Sequence, residues 1–208
     1  MSQDERFDVF DEKMAKLGTA TRRDVHAQGL WHQTFHCWIL NKSAGAGSSL
    51  LFQLRHREKD TFPNLLDVSS AGHLLAGETA ADGVRELEEE LGLSVAIDEL
   101  VYCGLVAQED QLPDGWDREF NHVFLYECEL PLSGYDFQKS EIAGLFFIPI
   151  GELRELFVGR RQTITIEGIE YDDREEKTFP VTRVVGMADF TPQSGEYYAM
   201  LFGKLSGG

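Results

Sequence analysis

The sequence has 208 residues, 42% of them hydrophobic and 26% charged, which is ordinary for a globular protein and enough to bury a sizeable core. A formal net charge of −17, without any basic run, argues against a nucleic-acid backbone or an anionic membrane surface as partner. No apolar run approaches the roughly 18 residues of a membrane span, and the start MSQDERFDVF lacks the basic and apolar regions of a signal peptide, so a cytoplasmic protein is expected.

Taken in order, residues 1–20 are acidic and mixed, with Phe7, Val9 and Phe10 suggesting a short strand whose function is unreadable. After a break at Gly29, the aromatic and β-forming run from His32 to Leu40 predicts a strand. SAGAGSS (Ser43–Ser49) predicts a turn and SLLFQLR the returning strand of a hairpin. Arg57–Ser70, with Pro63 near its middle, reads as a polar loop. Beyond residue 93, SVAIDELVYCGLVAQ predicts one or two strands, LPDGW a turn, Arg118–Leu130 a central strand, AGLFFIPI a buried strand and GELRELF a short helix. TITIEGIEYDDREEKTFPVTRVV predicts a hairpin, and TPQSGEYYAMLFGKL a closing helix with Pro192 near its start. The order of elements gives an α/β fold in the broad sense, a mixed sheet between helices. A single domain over 1–208 is expected, with its core at about 22–158 and a C-terminal extension over 159–208. Cys37, Cys103 and Cys128 are odd in number and lack CxxC spacing, and are read as reduced core residues.

The chemistry is concentrated between Gly72 and Leu93, GHLLAGETAADGVRELEEELGL. On a helix, Glu86, Glu89 and Glu90 project from one face, while Val84, Leu87 and Leu91 project from roughly the opposite one. Thr79 and Asp82 fit a capping box, and Gly92 stands where a helix ends. Three carboxylates within about 5–6 Å repel unless something positive sits among them. Oxygen ligands on a rigid helix suit a hard divalent cation, and Mg²⁺ usually accompanies a phosphate-bearing substrate. Diphosphate chemistry is the expected function.

The stretch resembles the signature of the Nudix hydrolases: Gly, five residues, Glu, seven residues, then Arg-Glu-apolar-x-Glu-Glu-x-Gly-apolar. Gly72, Glu78, Arg85, Glu86, Leu87, Glu89, Glu90, Gly92 and Leu93 supply the fixed positions, but only six residues separate Glu78 from Arg85. That departure puts the Glu78–Arg85 pairing in question and must be absorbed upstream of the intact RELEEELGL. The resemblance implies an α/β/α sandwich and cleavage of a diphosphate linkage by water attack with Mg²⁺, or Mn²⁺. It further implies that Glu86, Glu89 and Glu90 hold the metal with help from the Ala71 carbonyl, that Glu89 or Glu90 takes the proton, and that Glu141, at the end of a flexible loop, is the second candidate base.

Over about residues 22–158, His26, His32, LLFQLR, Lys59, Pro63 and the run Ala71-Gly72-His73 look like the branch that includes isopentenyl-diphosphate isomerase. That isomerase has a proton-transferring cysteine where this chain has Ala71, and it dispenses with the paired glutamates kept here. The branch places diphosphate-binding cations at Arg55 and Lys59, with His73 as a further substrate-binding candidate, and sets His73, with His32, Asp117 and Glu119, near its metal site. His26 is offset by one residue. Three functions are therefore expected in order: a metal-dependent hydrolase of a nucleoside-diphosphate-type or related molecule, an isomerase of allylic diphosphates, and a non-catalytic diphosphate binder. Specificity is expected in loops and in the extension after Arg160, with Trp116, Phe120 and Tyr171 as candidate stacking residues and a homodimer through the β-rich arms after Thr163.

Overall fold

A computed structural model describes residues 4–44, 47–112 and 115–206; Gly45–Ala46 and Pro113–Asp114, at the tips of two expected turns, lie outside the described residues. The organising strand is β3 (Trp31–Asn41), buried along nearly its whole length. It runs parallel to β8 (Gly115–Glu127) from Trp31–Arg118 to Leu40–Glu127, and β8 pairs antiparallel with β7 (Val101–Leu112).

On its other side β3 meets β4 (Ser49–Arg55) only at Leu40–Leu50 and Asn41–Ser49. Beyond those rungs the two strands part. β6 (Ser70–His73) pairs with β3 at Thr34–Cys37, and β5 (Leu66–Asp67) pairs with β4 at Gln53 and Leu54. The segment expected as a polar loop over Arg57–Ser70 therefore carries β5 and the start of β6. Both are too short, at two and four residues, for periodicity to reveal them. β4 continues the sheet into β9 (Ile142–Pro149), β10 (Ile164–Asp172) and the edge strand β11 (Lys177–Val185).

Neighbouring residues on each strand go to opposite cores, as a period of two demands. Trp38, Phe52 and Phe146 join Leu153 and Leu156 of α3 (Ile150–Phe157) and Tyr197 and Leu201 of α4 (Gly195–Ser206). Ile39, Leu51 and Leu145 join Leu87 and Leu91 of α2 (Arg85–Leu91) on the other face. Helices thus cover both faces of the sheet, and each fully buried aliphatic or aromatic side chain contributes about 1.5–3 kcal/mol. The N-terminal residues form β1 (Arg6–Phe10) and β2 (Lys16–Thr21), followed by α1 (Arg22–Gln28). Gly29, left-handed at φ 61°, stops α1 and turns the chain into β3. Among the described residues no helix is long and apolar enough to cross a membrane.

Candidate active site

α2 is entered through a single 3₁₀ turn, Asp82–Val84. Asp82 Oδ2 accepts from the Thr79 amide at 2.8 Å and from its hydroxyl at 2.7 Å, which fixes the approach. Gly83 is required where the turn crosses β3, because a Cβ there would lie 2.5 Å from Phe35 Cβ. The six residues between Glu78 and Arg85 include this 3₁₀ turn. The pairing that the short spacing put in question is made at two points, Arg85 Nε to Glu78 Oε1 at 3.1 Å and a second guanidinium nitrogen to Glu78 Oε2 at 3.2 Å. Arg85 also donates to Glu86 at 2.5 Å and to the His73 carbonyl at 3.0 Å, so it ties the helix carboxylates to β6. Gly92 closes α2 with φ 69°.

Leu87 and Leu91 are fully buried, which turns the opposite face of α2 toward β6. Glu86 and Glu90 are themselves 5% and 3% exposed, while the Glu89 side chain is about half exposed. Burial, opposed by Arg85 and reinforced by Glu89, pushes the Glu86 carboxyl up to about 7. Burial and the nearby Glu86 push that of Glu90 up to about 8. The Ala71 amide donates to Glu90 Oε2 at 2.9 Å. A Cβ on Gly72 would fall inside the Glu86 carboxylate, so the motif glycine is what lets helix and strand approach.

Ala71 and Gly72 form one wall of a cavity of about 500 Å³ opened by the parting of β3 and β4. Both expected diphosphate cations face it, each already engaged. Lys59 is ion-paired with Glu141, which the loop before β9 brings to the cavity. That loop is fastened to α2 by the Gln138 amide, which donates to the Glu90 carbonyl at 2.9 Å. Arg55 donates to Asp67 at 2.6 Å and twice to Thr61, at 3.0 and 3.1 Å.

A second cluster lies at the His73 end of β6. His26, His32 and His73 offer ring nitrogens within 4.8 Å of one another, and His32, Asp117 and Glu119 form a second set of the same kind. The His26, His32 and His73 Nε2 atoms and Asp117 Oδ1 are buried without a hydrogen-bond partner. His32 Nδ1 lies 3.0 Å from the Leu30 carbonyl and donates to it, leaving the Nε2 lone pair facing Asp117 and Glu119, each at 3.9 Å. Lone pairs facing carboxylates call for a cation between them, and ligands around one ion with bonds of about 2.0–2.2 Å stand roughly 3–4 Å apart. His73 differs, because Arg22 donates to its Nδ1 at 3.0 Å, which puts the ring proton of the neutral form on Nε2. Burial first, then neighbouring His32 and Arg22, holds His73 well below the usual imidazole range, while burial, opposed by Asp117, holds His32 at about 4. Glu119 is pushed well up by burial and by Asp117. The rings are held by Phe7, fully buried, which stacks on His73 at 4.8 Å and on His32 at 5.7 Å.

A model of the NUDIX domain matches residues 30–165. The chain belongs to the Nudix family. It is 37% identical over 203 residues to an uncharacterized Nudix hydrolase of Clostridium acetobutylicum, covering 98% of each chain. It is 26% identical over 149 residues to an isopentenyl-diphosphate Δ-isomerase of Photorhabdus laumondii, covering 71% of this chain and 81% of that one. Among solved structures, a Deinococcus radiodurans protein superposes with a TM-score of 0.54 at 25% identity, covering 74% of this chain and 90% of that one. The protein is a Nudix-type pyrophosphohydrolase with the α/β sandwich of that fold.

The Nudix core leaves part of the cavity unexplained. Of its lining, Arg22 and His26 come from before residue 30, as does Phe7 stacked on His73, and Thr191, Pro192 and Gln193 from after residue 165. Sequence reasoning gave Phe7 and Arg22 no role and passed over Gln108, Asp110 and Gln193. Trp116, Phe120 and Tyr171 are not among the residues lining the cavity. Phe120 is buried against Trp31, Trp116 lies under Arg118, and Tyr171 packs against the core on the α2 side. The three cysteines are free, as expected, with Cys37 and Cys103 buried.

Proposed function

We propose that this Nudix enzyme is a divalent-metal-dependent hydrolase that cleaves a diphosphate linkage in a nucleoside-diphosphate-type or related small molecule by water attack. The observation that carries the proposal is the pair Glu86 and Glu90, two carboxyl groups kept from water on one helix face and raised to about 7 and 8, directly behind the wall of a polar cavity. Such crowding is relieved by a hard cation, Mg²⁺ in the first place and Mn²⁺ in the second. Glu86, Glu89, Glu90 and the Ala71 carbonyl would hold it, and when bound it supplies charge neutralisation at the phosphates and a water of lowered pKa.

The remaining roles belong to the side chains facing the cavity. Lys59, drawn to a phosphate oxygen, releases Glu141 from their ion pair and leaves it free to accept a proton, in the role shared as a candidate with Glu89 and Glu90. His73, fixed by Arg22, presents an Nε2 proton suited to an anionic oxygen. Arg55, held by Asp67 and Thr61, contributes a fixed positive charge at the cavity wall. His32, Asp117 and Glu119 fit a second cation position. That cluster favours a second reading, an isomerase acting on an allylic diphosphate, which fits the Photorhabdus relative. Ala71 opposes it, since a methyl group cannot move a proton.

The test is release of phosphate or of a nucleoside monophosphate from a panel of diphosphates with Mg²⁺ or Mn²⁺. Hydrolysis lost in Glu89→Gln or Glu90→Gln supports the proposal. Double-bond migration without release supports the isomerase reading, and ligand binding without turnover removes both.

A further inference from the structure

The cavity wall opposite Ala71 and Gly72 is built where the C-terminal extension crosses β7. The extension is fastened there by the Thr191 amide, which donates to the Leu66 carbonyl at 2.9 Å, and by the Thr191 hydroxyl, which donates to Asp67 at 2.8 Å. Asp67 is the carboxylate that holds Arg55, so this wall is joined to the expected diphosphate end through one buried ion pair. Next in line, Gln108 Nε2 donates to the Pro192 carbonyl at 2.9 Å and to Asp110 Oδ2 at 2.7 Å. Two acceptors on one NH₂ group fix which end of the amide is which. Gln108, only 9% exposed, therefore turns its Oε1 away from both, and that oxygen is buried without a partner. Gln193, the residue after Pro192, has a buried Oε1 in the same condition. Native proteins leave few buried acceptors unpaired, and one left beside a cavity is open to a donor from a water or a ligand.

The rest of the lining narrows the ligand. Among the described residues that line the cavity, the apolar ones are Phe62, Ala71 and Pro192, and none is Leu, Ile, Val or Met. A prenyl tail would find little to bury against, and every hydrogen-bonding group on it would be missing.

We propose that Gln108, Asp110 and Gln193 form a subsite for a hydroxyl-bearing group attached to the diphosphate, a ribose or a hexose, and that the C-terminal extension thereby sets the preference of this enzyme for hydroxylated over prenyl diphosphates. The three groups offer acceptors, and vicinal hydroxyls offer the matching donors. This inference rests on the diphosphate-hydrolase reading above, whose own failure is recognised separately.

Wild-type enzyme with Mg²⁺ is assayed on ADP-ribose, on UDP-glucose and on isopentenyl diphosphate, and kcat and KM are obtained for each. The ratio of kcat/KM for the preferred hydroxylated substrate to that for isopentenyl diphosphate is expected to exceed one. In Gln193→Leu and in Asp110→Ala the ratio is expected to fall about tenfold, mostly through KM, as the loss of one hydrogen bond would give. Gln193→Glu, which keeps an acceptor, is expected to retain most of it. Preference for ADP-ribose identifies a ribose and preference for UDP-glucose a hexose. A wild-type preference for isopentenyl diphosphate, or a ratio unmoved by both substitutions, overturns the subsite and leaves the hydrolase reading standing. If wild type hydrolyses none of the three, the hydrolase reading fails. Calorimetric titration with ADP-ribose then decides the subsite, which is overturned if wild type and Gln193→Leu bind alike or neither binds.

Discussion

Replacing Glu90 with glutamine is expected to stabilise the metal-free protein by an amount that grows with pH. Glu90 is 3% exposed, and burial with the neighbouring Glu86 raises its carboxyl from 4.5 to about 8. The folded state therefore holds its proton up to about pH 8, while the unfolded chain gives it up above pH 4.5. Between those values the native state binds more protons than the unfolded state, so this group's contribution to stability is complete below pH 4.5 and is lost as pH rises toward 8. Each pH unit inside that window removes about 1.4 kcal/mol, and the difference in unfolding free energy between Glu90→Gln and wild type should grow by about 3 kcal/mol from pH 5 to pH 8. Glutamine keeps an oxygen for the Ala71 amide, so the native hydrogen bond survives the change. The assay is urea denaturation of both proteins in EDTA at pH 5, 6, 7 and 8. Histidines whose folded values are lowered, such as His32 and His73, give stability the opposite slope below pH 6.5, but they are common to both proteins and cancel in the difference. With saturating Mn²⁺ the order should reverse, wild type gaining more than the variant. A difference that stays flat with pH in EDTA would refute the claim that Glu90 is a buried carboxyl held at the edge of ionisation.

Gly72→Ala should destabilise the fold by about 1–3 kcal/mol through overpacking, because the added methyl group occupies the place of the Glu86 carboxylate, and should weaken Mg²⁺ uptake in calorimetry. Glu141→Gln should lower kcat by about a hundredfold if it is the base, whereas Lys59→Met should act mainly on KM; equal kcat for wild type and Glu141→Gln returns the role to Glu89 or Glu90. His32→Gln should reduce Mn²⁺ stoichiometry by one while leaving the glutamate-dependent ion bound; unchanged stoichiometry would show that the His32, Asp117 and Glu119 set is not a cation site.

The glutamate helix was legible because its chemistry and its packing have the same period. Carboxylates three and four apart leave Leu87 and Leu91 for the core, and Gly92 ends the helix where the sequence says it should. The short spacing before Arg85 put in question a pairing with Glu78 that the structure makes, with a 3₁₀ turn leading into the helix. β6 was hidden because four residues carry no periodicity, although its Ala-Gly-His run was read for its chemistry. The far wall was beyond reach for another reason. Gln108 and Pro192 meet across 84 positions of sequence, and a glutamine amide announces nothing until its two acceptors are seen.

The family match begins at residue 30 and ends at residue 165, yet the cavity lining draws on Arg22 and His26 before it and on Thr191 to Gln193 after it, with Phe7 stacked on the histidines. A fragment trimmed to the matched region would retain the glutamate helix and most of the sheet while losing the lining residues Arg22, His26 and Thr191 to Gln193. His32 and His73 would lose the ring they stack on, and Asp67 the hydroxyl that steadies it. Part of what lines the cavity thus lies outside the stretch by which the family is recognised.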